Sequence, residues 1–258
     1  MNMRIEMTEI PERKPVFTAK PPNPSRLADG VSDAIAAALF DGRISPGEPL
    51  PPEGEIAREF GVSKPIAREA LRQLTAAGLI FTQQGKVARA KALSGDSMDK
   101  IYGYAVRSSL KRLREANEMR RVVETGIARL AAERRDPEGL DMMRQGLAGM
   151  LASVQEPSGF TAADILFHLG LAVTTGNYMI RVHMESMRSV QREVSELFSR
   201  RANRSDADWR ATIDRHQAIY DAIAVGDADL AEQKIREHFE AADIASLEVA
   251  DKLKDAER

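Results

Sequence analysis

The chain holds four histidines in 258 residues, and three of them are placed where one metal ion could use them all. Asp164 and His168 are four residues apart, so on a helix they share a face one turn apart, a spacing that lets two side chains reach a common ion. His216 falls in helical register with Trp209, Ile213, Tyr220 and Ile223, and His238 with Ala231, Ile235 and Ala242. Both are expected to point inward, where an unpaired imidazole is costly and a metal gives it a partner. Nitrogen and carboxylate donors suit Zn2+, Ni2+, Mn2+ or Fe2+; the donor set alone does not choose, and zinc is the working expectation. Any one of these histidines taken singly reads as a hydrogen-bonded core residue, and only the set argues for an ion. Such an ion has two uses. As a hydrolytic or oxidative centre it needs a general base beside an open coordination position, and the sequence offers none beyond the ligands themselves. Otherwise it holds a ligand to be sensed.

The elements that must position these residues are helical. Met119, Val123, Ile127 and Leu130 mark one apolar stripe, and Asp136-Pro137 starts a helix carrying Leu140, Met143, Leu147, Met150, Leu151 and Val154. Pro157-Ser158-Gly159 reads as a break, followed by helices over about 161–176 and 177–200. The last two cover 206–225 and 228–250, separated by Gly226-Asp227. With a helix around 99–110, the region is an all-α bundle of six or seven helices. His183 reads as a core or interface residue, Met184 and Met187 as packing, and Asn177 as a helix cap.

The first ninety residues are organised differently. Residues 1–26 contain five prolines and no sustained hydrophobic period, which predicts a flexible arm. Leu27, Val31, Ile35 and Leu39 then recur every four residues, and a turn-rich stretch leads to a short helix over 53–60 that buries Ile56, Ala57 and Phe60. Gly61-Val62-Ser63 makes a three-residue turn, with Ser63 placed to cap the following helix and Pro65 in its first turn. In that helix Ile66, Ala67, Ala70, Leu71, Leu74 and Ala77 face inward, while Lys64, Arg68 and Arg72 form a basic outer stripe. Residues 79–90 read as two short strands about a Gln84-Gly85 turn, the second carrying Lys86 and Arg89. Helix, turn, basic helix and ribbon together describe a winged helix-turn-helix, whose second helix suits the major groove of duplex DNA. The alternative is a small helical domain whose basic stripe is a solvated face.

Net charge is −2, yet residues 64–91 hold six basic side chains against the single acid Glu69, enough for a polyanion to dock. The absence of cysteine removes disulfides, thiolate metal sites and cysteine nucleophiles. There is no apolar run long enough to span a bilayer and no signal-peptide core at the N-terminus, so no membrane association and a cytoplasmic location are expected. The expected plan is a flexible arm (1–26), a DNA-binding domain (27–91), a linker (92–99), a helical domain (100–250) and a tail (251–258).

The motif residues themselves resemble a family. Asp41-Gly42-Arg43-Ile44-Ser45-Pro46-Gly47-Glu48-Pro49-Leu50-Pro51, Ile56-Ala57-Arg58-Glu59-Phe60-Gly61-Val62-Ser63-Lys64, Arg68-Glu69-Ala70-Leu71-Arg72-Gln73-Leu74 and Gly78-Leu79 resemble the GntR family of bacterial transcription regulators. The resemblance implies operator contacts from Ser63, Lys64, Arg68 and the wing-tip Gln84 and Gly85, with Arg72, Lys86 and Arg89 in support. Two departures stand out: Gly54 and Lys64 occupy positions where the family usually has arginine, which shifts the expected burden onto Arg68, Lys86 and Arg89. Residues 120–132, Asp164-Ile-Leu-Phe-His168, Thr175-Gly176-Asn177, residues 216–223 and 226–238 resemble the FCD ligand-binding domain of the FadR subfamily. The likeness implies a regulator rather than an enzyme, a homodimer on palindromic operator DNA, and a repressor of a catabolic operon. It also implies a metal on Asp164, His168, His216 and His238, and a small carboxylate effector paired with Arg120. An i,i+4 surface pair with Glu124 is the competing role for Arg120. The wing and arm also resemble repressors of sialic-acid catabolism, which implies a sugar acid as effector.

Overall fold

The computed structural model of the chain describes residues 24–83, 86–199 and 204–256, with side chains to residue 242. The N-terminal arm up to residue 23 and the wing-tip Gln84 and Gly85 lie outside the described residues. Two compact units divide between Lys91 and Ala92.

In the first unit, α1 (Pro24–Phe40), α2 (Glu53–Glu59) and α3 (Lys64–Ala77) precede β1 (Ile80–Phe81) and β2 (Arg89–Ala90). Val31, Ile35, Leu50, Ile56, Leu71, Leu74 and Ile80 form its core. The turn between α2 and α3 passes through Gly61 at φ 63°, a left-handed conformation that glycine adopts without steric cost. The strands pair antiparallel, Ile80 opposite Ala90 and Phe81 opposite Arg89. The turn-rich segment after α1 joins them: Leu50 N donates to Ala88 O at 2.8 Å and Ala90 N to Glu48 O at 2.9 Å. Several expectations need correction. Phe60 is 38% exposed and Leu27 36%, because the α1 face against the core is centred on Ala28, Val31 and Ile35; Ala77, in the last turn of α3, is also exposed. Ser63 holds the N-cap position of α3 but its hydroxyl makes no capping bond, and the residue is exposed.

The second unit contains α4 (Asp96–Arg107), α5 (Leu110–Arg134), α6 (Pro137–Ala152), α7 (Pro157–Val173), α8 (Tyr178–Ser186), α9 (Arg188–Ser199), α10 (Asp206–Val225) and α11 (Ala228–Ala256). These are eight helices among the described residues, against an expected six or seven. The extra one arises because the chain breaks at Met187, where Ser186 Oγ donates to His183 O at 2.6 Å and the buried Met187 closes the turn. Pro157 is not a break but the first turn of α7, with Glu156 capping the amide of Gly159. The final helix runs six residues beyond the expected boundary at 250.

The core lies where α6 and α7 meet the ends of α5, α10 and α11, around Met143, Met150, Phe167, Leu171, Ile219 and Ile235, whereas Leu151 is 66% exposed. The contact between α6 and α7 depends on Gly146: a Cβ there would lie 2.8 Å from both the backbone nitrogen and Cβ of Phe167, so only glycine allows this approach. That approach fixes α7, which carries Asp164 and His168.

Residues 92–99, expected as a linker, are fastened to α8 and α9 through Leu93, Gly95, Asp96 and Asp99. Tyr178 Oη donates to Leu93 O at 2.7 Å, Gly95 N to Glu185 Oε2 at 3.2 Å, and Ser189 N to Asp99 Oδ1 at 2.6 Å. Arg188 completes the clasp on Asp96.

Candidate metal centre and nucleic-acid interface

Three imidazoles meet in the second unit. One ring nitrogen each from His168 on α7, His216 on α10 and His238 on α11 lies within 4.8 Å of the others, and all three residues are buried. The rings of His216 and His238 are 4.5 Å apart, and those of His168 and His238 5.2 Å. Asp164, one turn before His168, places Oδ1 2.9 Å from His216 Nε2 and 3.8 Å from His168 Nε2. His183, the fourth histidine, is half-buried on α8 and takes no part in the cluster.

Outer partners decide which nitrogen each ring offers. His168 Nδ1 lies 2.5 Å from Glu124 Oε2, and Glu124 Oε1 accepts from Arg120 Nε at 2.9 Å. Burial alone would raise the Glu124 carboxyl, but Arg120 and His168 beside it hold it below the usual carboxylate range. An ionised Glu124 accepts only, so the His168 proton sits on Nδ1 and the Nε2 lone pair faces the cluster. His216 Nδ1 lies 2.8 Å from Thr212 O, a carbonyl that can only accept. Its Nε2 therefore carries a bare lone pair when the ring is neutral, and its 2.9 Å contact with Asp164 lacks hydrogen-bond geometry. Two electron-pair donors that close, in a buried place, require a cation between them: a second proton on His216 or a metal ion. His238 Nδ1 is buried without a hydrogen-bond partner. These orphaned nitrogens fit a divalent ion.

The same environment sets the titration. Burial first, then His216 and His168 close by and Arg120, pushes His238 well below its ordinary value, with Asp164 opposing. At Asp164 burial works upward, yet the facing His216 and the other two histidines hold the carboxyl far below the usual range. In metal-free protein His238 is thus neutral when folded and gains a proton on unfolding below about pH 6.5. The contribution of His238 to stability is expected to be intact above that pH and to be lost as pH drops, by up to about 1.4 kcal/mol per pH unit for the one proton. Asp164 does not contribute in this window, because its stabilisation is lost only below about pH 4. Urea midpoints of chelated wild type and His238→Phe at pH 7.5, 6.5 and 5.5 isolate this contribution: the wild-type midpoint should fall more on acidification, or rise less, than that of the variant, and equal slopes contradict this account.

Above the cluster lies a small cavity of about 40 Å3. Phe160, Phe198 and Phe239 give it apolar walls, and Asn117, Ser195, Thr212 and three arginines give it polar ones. Arg120 is where sequence reasoning places it, but its competing role is also real in altered form: the pair with Glu124 is buried, with side chains 4% and 0% exposed, not a surface pair. Glu124, Arg204, Arg215 and Thr212 were not anticipated. The inward row of α5 is Leu113, Asn117, Arg120, Glu124 and Ile127, whereas Met119, Val123 and Leu130 are half-buried, with Val123 and Met119 at the margins of two cores, so hydrophobic period finds the packed side but not the polar row beside it.

In the first unit Lys64, Arg68 and Arg72 are exposed along α3 as expected. Arg68 is gripped sideways by Glu53 at the start of α2: Nε lies 3.1 Å and Nη2 3.0 Å from Oε2. Arg72 contacts Glu69 at 3.4 Å. A Cβ at Gly54 would lie 3.5 Å from Lys64 Cε, an ordinary contact, so the lysine stem runs close to α2. Lys86 is exposed beside the wing tip. Arg89 sits on β2 and donates from Nη1 to Gly47 O at 2.7 Å, a bond that ties the wing to the preceding turn.

Comparison with known proteins gives two matches along the chain. Residues 27–89 match the model described as bacterial regulatory proteins, gntR family, and residues 115–241 match the FCD domain. The galactonate operon transcriptional repressor of Escherichia coli K12 is 32% identical over 80% of this chain and 90% of its own length. The HTH-type transcriptional regulator LutR of Bacillus subtilis is 28% identical over 78% and 92%. The HTH-type transcriptional repressor NanR of Cronobacter sakazakii is 26% identical over 83% of each. Among solved structures a Streptococcus agalactiae GntR superposes with a TM-score of 0.64 at 23% identity, covering 84% of this chain and 98% of that one.

Proposed function

The chain belongs to the gntR family of bacterial regulatory proteins and carries an FCD domain, so it is a DNA-binding transcriptional regulator, and we propose that it is a homodimeric repressor released by a small organic acid. The observation that carries this reading is the cavity whose floor is three buried histidines and Asp164, with a tautomer-fixing partner behind His168 and another behind His216. When bound there, a divalent ion supplies a Lewis-acidic position at which a carboxylate oxygen can replace water. Asp164, His168, His216 and His238 hold the ion, and zinc is the first candidate. Arg120, kept in place by Glu124 and lying with its guanidinium 5.2 Å from the Phe239 ring centroid, presents charge to the same carboxylate. The name of the relative from Escherichia coli makes a sugar acid the first effector to try.

A route from cavity to DNA follows from α9. Its Val194 and Ser195 line the cavity, and its first residues, Arg188 and Ser189, hold Asp96 and Asp99 in the segment that continues from the DNA-binding unit. An effector that favours one position of α9 therefore acts on that clasp, and it regulates only to the extent that it binds the two arrangements with different affinity. Two copies on a palindromic operator double the few base contacts that one α3 offers. No helix among the described residues is long and apolar enough to cross a membrane.

Metal analysis of purified protein, followed by gel shifts on its own upstream DNA with galactonate and other organic acids, tests the proposal. Metal-loaded protein is expected to release DNA on addition of acid, chelated protein is not, and zinc restores the response. Release that is indifferent to chelation refutes the metal's role, and the absence of metal together with the absence of any acid response refutes the sensor.

A further inference from the structure

The Glu124 side chain is 0% exposed, and both of its oxygens are engaged. Oε1 accepts from Arg120 Nε at 2.9 Å, and Oε2 lies 2.5 Å from His168 Nδ1. Arg120 and His168 line the cavity and Glu124 does not, so it stands behind them and acts on a ligand only through them. A carboxylate taken out of water is costly unless its charge is answered, and here a guanidinium answers it. The converse has the larger consequence: Arg120 meets the cavity with its own charge already neutralised. The other two arginines of the wall are held at Thr212, whose hydroxyl accepts from Arg204 Nη2 at 2.8 Å and from Arg215 Nη2 at 3.2 Å, and Asp214 and Asp208 face Arg215.

We propose that Glu124 makes acid binding conditional on the metal: it cancels Arg120, so that this arginine alone does not hold a carboxylate, and it orients His168, so that the ion supplies the missing charge. The charges at the floor give the reason. Arg120 and Glu124 cancel, which leaves Asp164 against whatever cation the histidines hold. Without a cation the floor is negative, with a proton on His216 it is neutral, and with a divalent ion it is positive by one unit. Only in the last state does one arriving carboxylate restore neutrality. The cavity of about 40 Å3 has room for only a few waters, so a carboxylate entering it sheds most of its hydration and depends on the charge it meets. Low local dielectric leaves that charge largely unscreened. Linkage requires the acid to tighten zinc by the same factor by which zinc tightens the acid. This rests on the cavity being the place where metal and acid meet.

Calorimetry on chelated and on zinc-loaded protein tests it with two probes: galactonate, and acetate, a carboxylate without a hydroxylated chain. Wild type is expected to bind the better probe about ten-fold or more tighter with zinc than without it. Glu124→Gln keeps the size of the side chain and removes its charge. It should weaken zinc by about ten- to a hundred-fold, through loss of the carboxylate behind His168. The chelated variant should nevertheless bind the probe more tightly than chelated wild type does, because Arg120 is then unanswered. Glu124→Asp keeps the charge and should keep the dependence on zinc. A purely structural Glu124 predicts weaker binding of zinc and probe alike in Glu124→Gln, and that result overturns the proposal. Wild type that binds the probe equally well with and without zinc also overturns it, whether or not the variant folds, and leaves the acid sensor standing. Wild type that takes up no zinc, and binds neither probe, overturns both.

Discussion

Arg68→Ala is expected to abolish sequence-specific operator binding while the DNA-binding unit stays folded. The side chain is exposed on α3 and contributes nothing to the core of Ile35, Ile56, Leu71 and Leu74. Its single structural engagement of note is Glu53, which takes the Nε and Nη2 edge of the guanidinium and leaves the Nη1 end clear. A guanidinium held on one edge is pre-oriented to present the other to guanine O6 and N7, a contact worth about 1–3 kcal/mol of discrimination. Counted once per copy in the proposed dimer, the loss is about 2–6 kcal/mol, or roughly thirty-fold to more than ten-thousand-fold in specific affinity. Lys64 cannot compensate, since an ammonium offers no fork, and Arg89 is tied to Gly47. Non-specific binding through the remaining cations should persist and keep its steep salt dependence. Glu53→Ala gives the complementary result: removing a carboxylate beside a polyanion raises affinity for any DNA, yet the released Arg68 discriminates less. Competition gel shifts with operator and scrambled duplexes read both. An Arg68→Ala protein that still prefers the operator ends the assignment of this side chain to base reading.

The contrast between what periodicity revealed and what it hid has a physical origin. α10 runs Asp206–Val225 as its sequence implied, with the left-handed Gly226 that marked its end in place; the Ser205 and Asp208 capping box at its start is a local signal of the same kind. The four proposed ligands were legible because histidine is scarce and the Asp164 and His168 spacing fixes a shared helix face. Glu124 was hidden for the opposite reason: it contacts His168 across 44 residues of sequence, and an inward carboxylate on an amphipathic helix looks like a solvent-facing one. The same blindness covered Arg204 and Arg215, whose meeting at Thr212 depends on how α10 begins. The segment 92–99 misled in another way. Its Ser-Gly-Asp composition is that of a flexible connection, but Gly95 is there because a Cβ would lie 2.1 Å from Ser186 N. Composition reports which conformations a residue tolerates, not whether tolerance is being used for freedom or for close packing.

His216→Ala is expected to cost the protein its metal and its response to acid together, without removing its affinity for DNA. The imidazole is the one that Asp164 faces most closely, its Nε2 2.9 Å from Oδ1, and its tautomer is fixed by Thr212 O. Truncation leaves two histidines and one carboxylate and opens a gap beside Phe167, whose ring lies 4.8 Å away. Losing even an outer partner of a metal ligand typically costs ten- to a hundred-fold in metal affinity, so losing a ligand itself should bring occupancy after dialysis to about a tenth or less. Bound metal at a thousand times its dissociation constant stabilises a fold by about 4 kcal/mol, and that contribution should vanish from the thermal midpoint. The DNA-binding unit has its own core and should still shift operator DNA. The gap left by truncation is separated from metal loss by comparison with chelated wild type. If the ion is what matters, both proteins ignore the acid, and added zinc rescues only the wild type. If a proton on His216 bridges to Asp164 instead, purified wild type carries no metal, chelation changes nothing, and His216→Ala merely lowers stability. These two patterns share no outcome, so one set of metal assays and melting curves decides which cation answers the orphaned lone pair.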